Sequence, residues 1–273
     1  MLTAARILLR HLPLGALALC MPWLAQAACS RVMNAPVAPT GLSVTVDGDT
    51  ISGIYPEILR SNQSKETCLF ALSAVPRARL ELLFETGKAD ILIPASKTPK
   101  RDELGVFVPL GFSRAALISL ASERPTITSA KELLEARDLK VVLVRGYDYG
   151  PAYQELVTEL NRQGRLHWQS DPLSVARQLK SGIADATIMA PTILAGTIAD
   201  EERVRDLADK LRFEPLQELP WLANGAYISK SVSEADRLAL MEFFDRIAKS
   251  GAVWKGFQQY YAPQVLKFGL KPR

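Results

Sequence analysis

The residues best suited to chemistry lie in one short stretch, SKTPKR, which runs from Ser96 to Arg101. Thr98 is a typical helix N-cap, and the proline that follows it is favoured at the first helical position. A helix start offers free backbone N–H groups and the positive end of the helix dipole, to which Arg101 adds a guanidinium. Ser96 can donate a further hydrogen bond. We expect these groups to hold a carboxylate.

A simpler interpretation makes Arg101 a solvated residue of a first helical turn, where the dipole slightly disfavours a cation. The surroundings of the stretch favour a binding site. A helix pattern ends at Gly87, and residues 89–94, ADILIP, form a short apolar run typical of a buried parallel strand. Because open α/β sheets bind ligands beyond the carboxyl ends of their strands, the SKTPKR stretch lies where a ligand is expected.

The order of GKAD, an apolar strand, S.TP.R and the segment 107–112 resembles the first lobe of the type 2 periplasmic solute-binding proteins. That family includes the family 3, polar amino-acid binding proteins of ABC importers, in which the matching arginine holds the ligand carboxylate. The resemblance implies an α/β fold of two lobes joined by two crossover strands, with a ligand cleft between them. Lobe one would contain residues 29–114 and 228–273, and lobe two residues 115–227.

The resemblance also assigns ligand contacts to the second lobe. The glycine turn of the family matches Gly146 and Tyr147, whose backbone N–H groups would contact the ligand. Family members that bind α-amino acids often carry an acid where this chain has Ala190. Asp148 could replace that acid if its helix start points into the cleft. A buried ammonium without an acid would be costly, so the ligand is either an amino acid or a related organic acid without an amine.

Two aromatic positions are also open to more than one interpretation. Tyr147 either stacks on the ligand or is a surface aromatic. The first-lobe loop has Val37 or Ala38 where the family commonly has an aromatic platform. Like Ala190, this departure from the family pattern leaves both an amino acid and an amine-free acid open as the ligand.

An internal repeat supports two similar lobes. Residues 87–90 read GKAD before the strand ILIPA, and residues 182–185 read GIAD before ATIMA. Asp90 and Asp185 are interpreted as turn residues at strand starts. Arg77 and Arg79 are assigned to the solvated face of the helix that precedes GKAD.

The first 28 residues read as a secretory signal, with a basic start, an apolar run and a small-residue cleavage pattern that ends near Ala27 or Ala28. Export to the periplasm is therefore predicted. Cys29 follows the cleavage site and could carry a lipid anchor, although Gln26 stands where a lipobox requires an aliphatic residue.

The mature chain keeps two cysteines, Cys29 and Cys68, because Cys20 leaves with the signal. An even number of cysteines in an exported protein indicates a disulfide, and the alternative is a pair of buried thiols.

Charge and motifs limit the partners. Loss of Arg6 and Arg10 changes 33 basic against 29 acidic residues to 31 against 29, a net charge of +2. This balance predicts no nucleic-acid partner. No nucleotide, metal or nucleophile-elbow motif is present, so we expect no cofactor and no metal. The predicted partners are a small-molecule ligand and an ABC permease in the inner membrane, and the protein is expected to be a monomer.

Two alternatives to a transport receptor remain. Some exported dehydratases, such as cyclohexadienyl dehydratase, share this fold, and their chemistry requires a positioned general acid or base. His11 leaves with the signal and His167 lies in a predicted strand, so only carboxylates are candidates. The other alternative is a sensor or accessory protein that binds a ligand without transport.

Overall fold

The computed structural model describes residues 28–273, so all but the last residue of the predicted signal, residues 1–28, lies outside it. Its strands are β1 (Met33–Val37), β2 (Thr45–Asp47), β3 (Thr50–Ser52), β4 (Phe70–Ala74), β5 (Ile91–Ser96), β6 (Gly105–Ser113), β7 (Ala116–Leu120), β8 (Val141–Val144), β9 (Leu166–Gln169), β10 (Ala186–Met189), β11 (Leu211–Glu214), β12 (Leu222–Ser229) and β13 (Leu270–Pro272). Its α-helices are α1 (Ile54–Asn62), α2 (Arg77–Glu85), α3 (Pro99–Leu104), α4 (Ala130–Glu135), α5 (Pro151–Arg162), α6 (Pro172–Ser181), α7 (Pro191–Asp200), α8 (Glu234–Ser250), α9 (Ala252–Tyr260) and α10 (Pro263–Gly269), and a 3-10 helix spans Glu202–Lys210.

The first lobe is built on β5, β6, β12 and β13, in the order β13-β6-β12-β5, together with the parallel pair β1-β4. The Asp90 N–H donates to the Asn34 oxygen at 2.9 Å, which places β1 beside the start of β5. Helix α8 packs its buried Phe243 and Phe244 against these strands. The strands β2 and β3 pair antiparallel as a hairpin around Gly48.

Cys29 and Cys68 form the predicted disulfide, with their Cα atoms 4.8 Å apart. They precede β1 and β4, and the Cys29 N–H donates to the Thr67 oxygen at 2.8 Å. Because β1 and β4 run parallel, their starts meet at the same edge, which brings the two cysteines together.

The second lobe has a five-stranded sheet in the order β11-β7-β10-β8-β9. Its middle strands β8 and β10 are buried along their whole length, which explains the continuous apolar runs VVLV and ATIM. A separate hydrophobic core surrounds this sheet, and it includes buried residues from α5, α6 and α7. The fold is therefore α/β with two lobes, as predicted.

The two connections between the lobes lie side by side. One runs from β6 to β7, and the other enters β12, which pairs with β6 from Leu222 to Ser229. The Arg114 guanidinium lies 4.7 Å from the ring centroid of Trp221, and the Lys271 ammonium lies 4.2 Å from it, so a cation–π stack links the two connections. The lobe boundaries 29–114, 115–227 and 228–273 stay a prediction.

Helices α4 and α7 differ in how clearly the sequence marks them. Helix α4 begins at Ala130, directly after the Ser129 cap. Helix α7 is apolar on nearly all sides because it is buried between neighbouring elements, so it shows no amphipathic period. Among residues 28–273, no helix combines the length and the apolar character that a membrane span requires.

Candidate functional site

Two connected cavities lie between the lobes. The inner cavity has a volume of about 50 Å³ and the outer one about 720 Å³, and Arg101, Tyr147 and Asp148 line both. Of the other predicted site residues, Ser96 lines the inner cavity, and Thr98 and Gly146 line the outer one. The structure therefore brings all six predicted ligand-binding residues together between the lobes. Ligand pockets usually measure about 300–1,000 Å³, so in this closed arrangement the inner cavity admits only a small group.

The SKTPKR stretch forms a short helix, and most of the N–H groups at its start already have acceptors. Thr98 caps α3, and its backbone oxygen accepts from the N–H groups of Arg101 at 3.1 Å and Asp102 at 3.0 Å. The Thr98 N–H donates to the Tyr227 hydroxyl at 3.1 Å. The predicted cap is confirmed. The N–H groups of Thr98, Arg101 and Asp102 at this helix start are therefore not free, contrary to the expectation, and the guanidinium is the main group available for an anion.

Arg101 is only 3% exposed, so the alternative of a solvated residue is wrong. Its Nη1 donates to the Ser96 backbone oxygen at 2.9 Å, and its Nη2 donates to Glu81 Oε1 at 2.9 Å. Its Nε donates to Glu81 Oε2 at 3.3 Å. Strand β5 and helix α2 thus fix the guanidinium plane at the wall of both cavities.

Arg77 is a cavity-lining residue that the sequence analysis missed. It was assigned to a solvated helix face, whereas it is buried and lines the inner cavity. Its Nη1 donates to the Pro94 oxygen at 3.0 Å, while Nε and Nη2 donate to Glu81 Oε1 at 2.9 and 2.6 Å. Arg79, by contrast, is exposed as predicted. The spacing of Arg77 and Glu81, four residues apart on one helix, was the available signal.

Arg77, Glu81 and Arg101 form what we call the Arg-Glu-Arg cluster. Burial by itself raises the pKa of the Glu81 carboxyl, but the two guanidinium charges and their hydrogen bonds outweigh it and hold that pKa below its ordinary value of 4.5. Glu81 is therefore a carboxylate at neutral pH. The cluster carries two positive charges and one negative charge.

Three tyrosines of the second lobe pack together beside this cluster. Tyr149 makes edge-to-face contacts with Tyr147 and Tyr153, at ring centroid distances of 6.2 and 5.2 Å. Tyr147 is 8% exposed, so it is not a surface aromatic, and the Arg77 guanidinium carbon lies 5.9 Å from its ring centroid. Its buried hydroxyl has no hydrogen-bond partner in the part of the chain that the structure describes. Burial raises the pKa of the Tyr149 hydroxyl to about 12, so it remains protonated.

Ala190 and Asp148 lie at the inner cavity, where the sequence analysis considered an acid. Ala190 is the N-cap of α7, and its N–H donates to the Tyr149 hydroxyl at 3.2 Å. Asp148 is half-buried, and its Oδ1 accepts from the Gly150 N–H at 2.9 Å and from Gln154 at 3.1 Å. One oxygen of Asp148 therefore stabilises its own loop.

The aromatic wall of the inner cavity comes from elements other than the first-lobe loop. Val37 and Ala38 are buried in the lobe cores, and neither lines the cavity. Tyr55 of α1 and Phe257 of α9 line it instead, with their rings edge to face at 6.1 Å. The sequence analysis missed both because they lie far apart in the chain.

The lobes touch on both sides of the cleft at glycines. A Cβ on Gly146 would lie 2.8 Å from the Cα and the nitrogen of Ala78 in the first lobe. A Cβ on Gly41 would lie 2.6 Å from the Ile193 oxygen of the second lobe. Only glycine permits these approaches, and at both positions φ is positive. The cleft is therefore closed.

Residues 28–273 contain no group of three or more His, Cys, Asp or Glu side chains placed to hold a metal ion. The polar side chains that line the inner cavity carry guanidinium, carboxylate, hydroxyl and amide groups, which can form hydrogen bonds with an organic acid.

No protein-family model matches the sequence, and neither does any curated protein. Solved structures do match in fold. A substrate-binding protein of an amino-acid ABC transporter from Streptococcus pneumoniae, bound to L-arginine, is 21% identical with a TM-score of 0.64, and the match covers 83% of this chain and 94% of that one.

Two further structures differ in role. A histidine kinase sensor domain with similarity to periplasmic binding proteins is 16% identical with a TM-score of 0.66, over 89% of this chain and 98% of that one. An ancestral amino-acid-binding protein, described as a precursor of cyclohexadienyl dehydratase, is 15% identical with a TM-score of 0.64, over 85% and 96%. The chain therefore has the two-lobed fold of the periplasmic solute-binding proteins.

Proposed function

We propose that this protein is an exported solute-binding protein that captures a small carboxylate-bearing ligand, an amino acid or a related organic acid, in the cleft between its lobes. It would act in the periplasm as a monomer, after cleavage of the signal near Ala27 or Ala28, and would present the ligand to an ABC permease. Ser96, Thr98 and Arg101 would act from the first lobe, and Gly146, Tyr147 and Asp148 from the second.

The observation that carries the proposal is a buried guanidinium held rigidly at a closed cavity. Arg101 is buried, and its plane is fixed by Glu81 and by the Ser96 oxygen. A guanidinium binds a carboxylate through parallel hydrogen bonds, and these are strong where water is excluded. The binding proteins that share the fold support the same role.

The runner-up is an exported enzyme of the cyclohexadienyl dehydratase type, which the ancestral precursor favours. Such an enzyme requires a group that donates a proton near neutral pH. Glu81 is a poor candidate, since both arginines lower its pKa. Asp148 is the remaining carboxylate at the inner cavity. The kinase sensor domain favours a second alternative, ligand sensing without transport.

The test is a thermal-shift screen of the mature protein with amino acids, amine-free carboxylates and prephenate-like acids, followed by calorimetry and product analysis of each hit. Arg101→Ala should weaken binding by about 2 to 5 kcal/mol, or about 30-fold to several thousand-fold, because the ligand carboxylate loses a charge-assisted partner in a closed site. Arg79→Ala, which removes an exposed arginine, is the control. Unchanged affinity in Arg101→Ala would exclude the carboxylate site, and conversion of a hit into product would replace binding with catalysis.

A further inference from the structure

Arg77 and Arg101 are placed at the inner cavity in the same way. Each donates through Nε and Nη2 to Glu81 and through Nη1 to a backbone oxygen at the end of β5, Pro94 for one and Ser96 for the other. Both side chains are almost fully buried, with 7% and 3% exposed. The Arg-Glu-Arg cluster therefore presents two guanidinium groups with matching anchors.

Each guanidinium keeps donors for a ligand. A guanidinium has five N–H groups, and three are used at each arginine, which leaves one on Nη1 and one on Nη2 without a partner among residues 28–273. Two such groups on two arginines give four donors. An anionic group with two or three oxygens could accept from both arginines at once.

The charge of the cluster is +1, from two guanidinium groups and the Glu81 carboxylate. Lys100 lies at the outer cavity and pairs with Glu85 at 2.6 Å, so it adds no net charge there. The cluster therefore has positive charge for one negative ligand charge. A second negative ligand charge would be buried without a partner and would also face the Asp148 carboxylate, which lines the inner cavity.

We propose that Arg77 and Arg101 hold one anionic group between them, and that Glu81, by cancelling one guanidinium charge, makes the cleft selective for monoanions over dianions. This inference rests on the proposed function and deepens it. Arg77 becomes a ligand-binding residue, and Glu81 determines which charge the ligand carries. Tyr147, which packs over Arg77 from the second lobe, covers the bound group.

The experiment uses matched probes that differ by one carboxylate: butyrate and succinate, pentanoate and glutarate, and benzoate and phthalate. Calorimetry measures their affinities for the mature protein and its variants. In the wild type the monocarboxylate of a pair should bind at least tenfold more tightly. Arg77→Gln, which lowers the cluster charge to 0, should weaken monocarboxylates at least tenfold and dicarboxylates more. Arg79→Gln, which removes an exposed arginine on the same helix, should change either affinity less than twofold.

The role of Glu81 is tested in a background that tolerates its loss. Glu81→Gln alone leaves two buried guanidinium groups without a carboxylate and could unfold the protein. The double variant Arg77→Gln, Glu81→Gln restores the cluster charge to +1. Compared with Arg77→Gln, it should shift the preference toward the dicarboxylate at least tenfold.

The outcomes separate this inference from the proposed function. If acids bind the wild type but Arg77→Gln behaves like Arg79→Gln, or if the double variant keeps the preference of Arg77→Gln, the inference is wrong and the binding function stands. If none of the probes and none of the acids in the thermal-shift screen binds the wild type, both are wrong.

Discussion

Gly146→Ala should weaken ligand binding, because the added Cβ prevents the lobes from closing. The new Cβ would lie 2.8 Å from two backbone atoms of Ala78, whereas ordinary contact begins at 3.4 Å, so the lobes must separate by 0.6 Å at this point (3.4 − 2.8). Overpacking against a backbone that cannot move aside costs about 1–3 kcal/mol. If that cost falls on the closed state alone, affinity drops about 5- to 150-fold.

The matched control lies in the same loop. Gly150 has φ of 91° against 87° for Gly146, but a Cβ there meets nothing within 4 Å. Both variants therefore carry backbone strain on the order of 1–3 kcal/mol, and only Gly146→Ala adds a contact between the lobes. Urea unfolding should show a similar loss of stability in both variants.

Two measurements check the expectation. Calorimetry with the acid that most stabilises the wild type should show weak binding by Gly146→Ala and wild-type affinity, within about threefold, for Gly150→Ala. Small-angle scattering of the ligand-free variants should show a larger radius of gyration for Gly146→Ala alone. Equal affinities in the two variants would refute closure at this contact as a requirement for binding.

Three further predictions concern single groups. Tyr147→Phe should leave stability unchanged or raise it by about 1 kcal/mol in urea unfolding, because it removes a buried hydroxyl without a partner, and should weaken acid binding in calorimetry if that hydroxyl donates to the ligand. Glu81→Gln should cost about 3–5 kcal/mol at pH 7. The folded state lowers the pKa of Glu81, so the Glu81 carboxylate stabilises the protein fully above pH 4.5. The stability difference between wild type and variant should therefore shrink as the pH falls below 4.5. A difference that stays constant with pH would contradict the ion pair. Mass spectrometry of the alkylated, non-reduced mature protein should show Cys29 and Cys68 unlabelled. Reduction of the disulfide should lower the free energy of unfolding by about 4 kcal/mol. Two labelled thiols, or a lipid mass on Cys29, would exclude the disulfide in the exported protein.

The parts of the site that could be predicted are those encoded locally. Thr98 and Pro99 mark a helix start by residue type alone, and Gly146 marks a turn directly after an apolar strand. Each places its neighbours beyond the carboxyl end of a strand. Such signals need no knowledge of what lies opposite in the fold.

The parts that could not be predicted depend on what packs against a residue. Arg77 and Arg79 are two residues apart on one helix and look equivalent in sequence, yet one is buried because α2 turns that face toward the end of β5. Tyr55 and Phe257 meet across about two hundred residues of chain. Helix α7 is buried on most sides and so lacks the polar face that would identify it.

Three of the four tryptophans lie among residues 28–273, and they differ in their relation to the cleft. Trp168 lines the outer cavity, Trp221 lies under two cations where the lobes connect, and Trp254 packs against the core of the first lobe. Opening of the lobes would change the solvent around Trp168, while Trp221 and Trp254 would keep their neighbours. The unlabelled protein therefore carries its own optical reporter, and a change in fluorescence on adding an acid would follow ligand capture in real time.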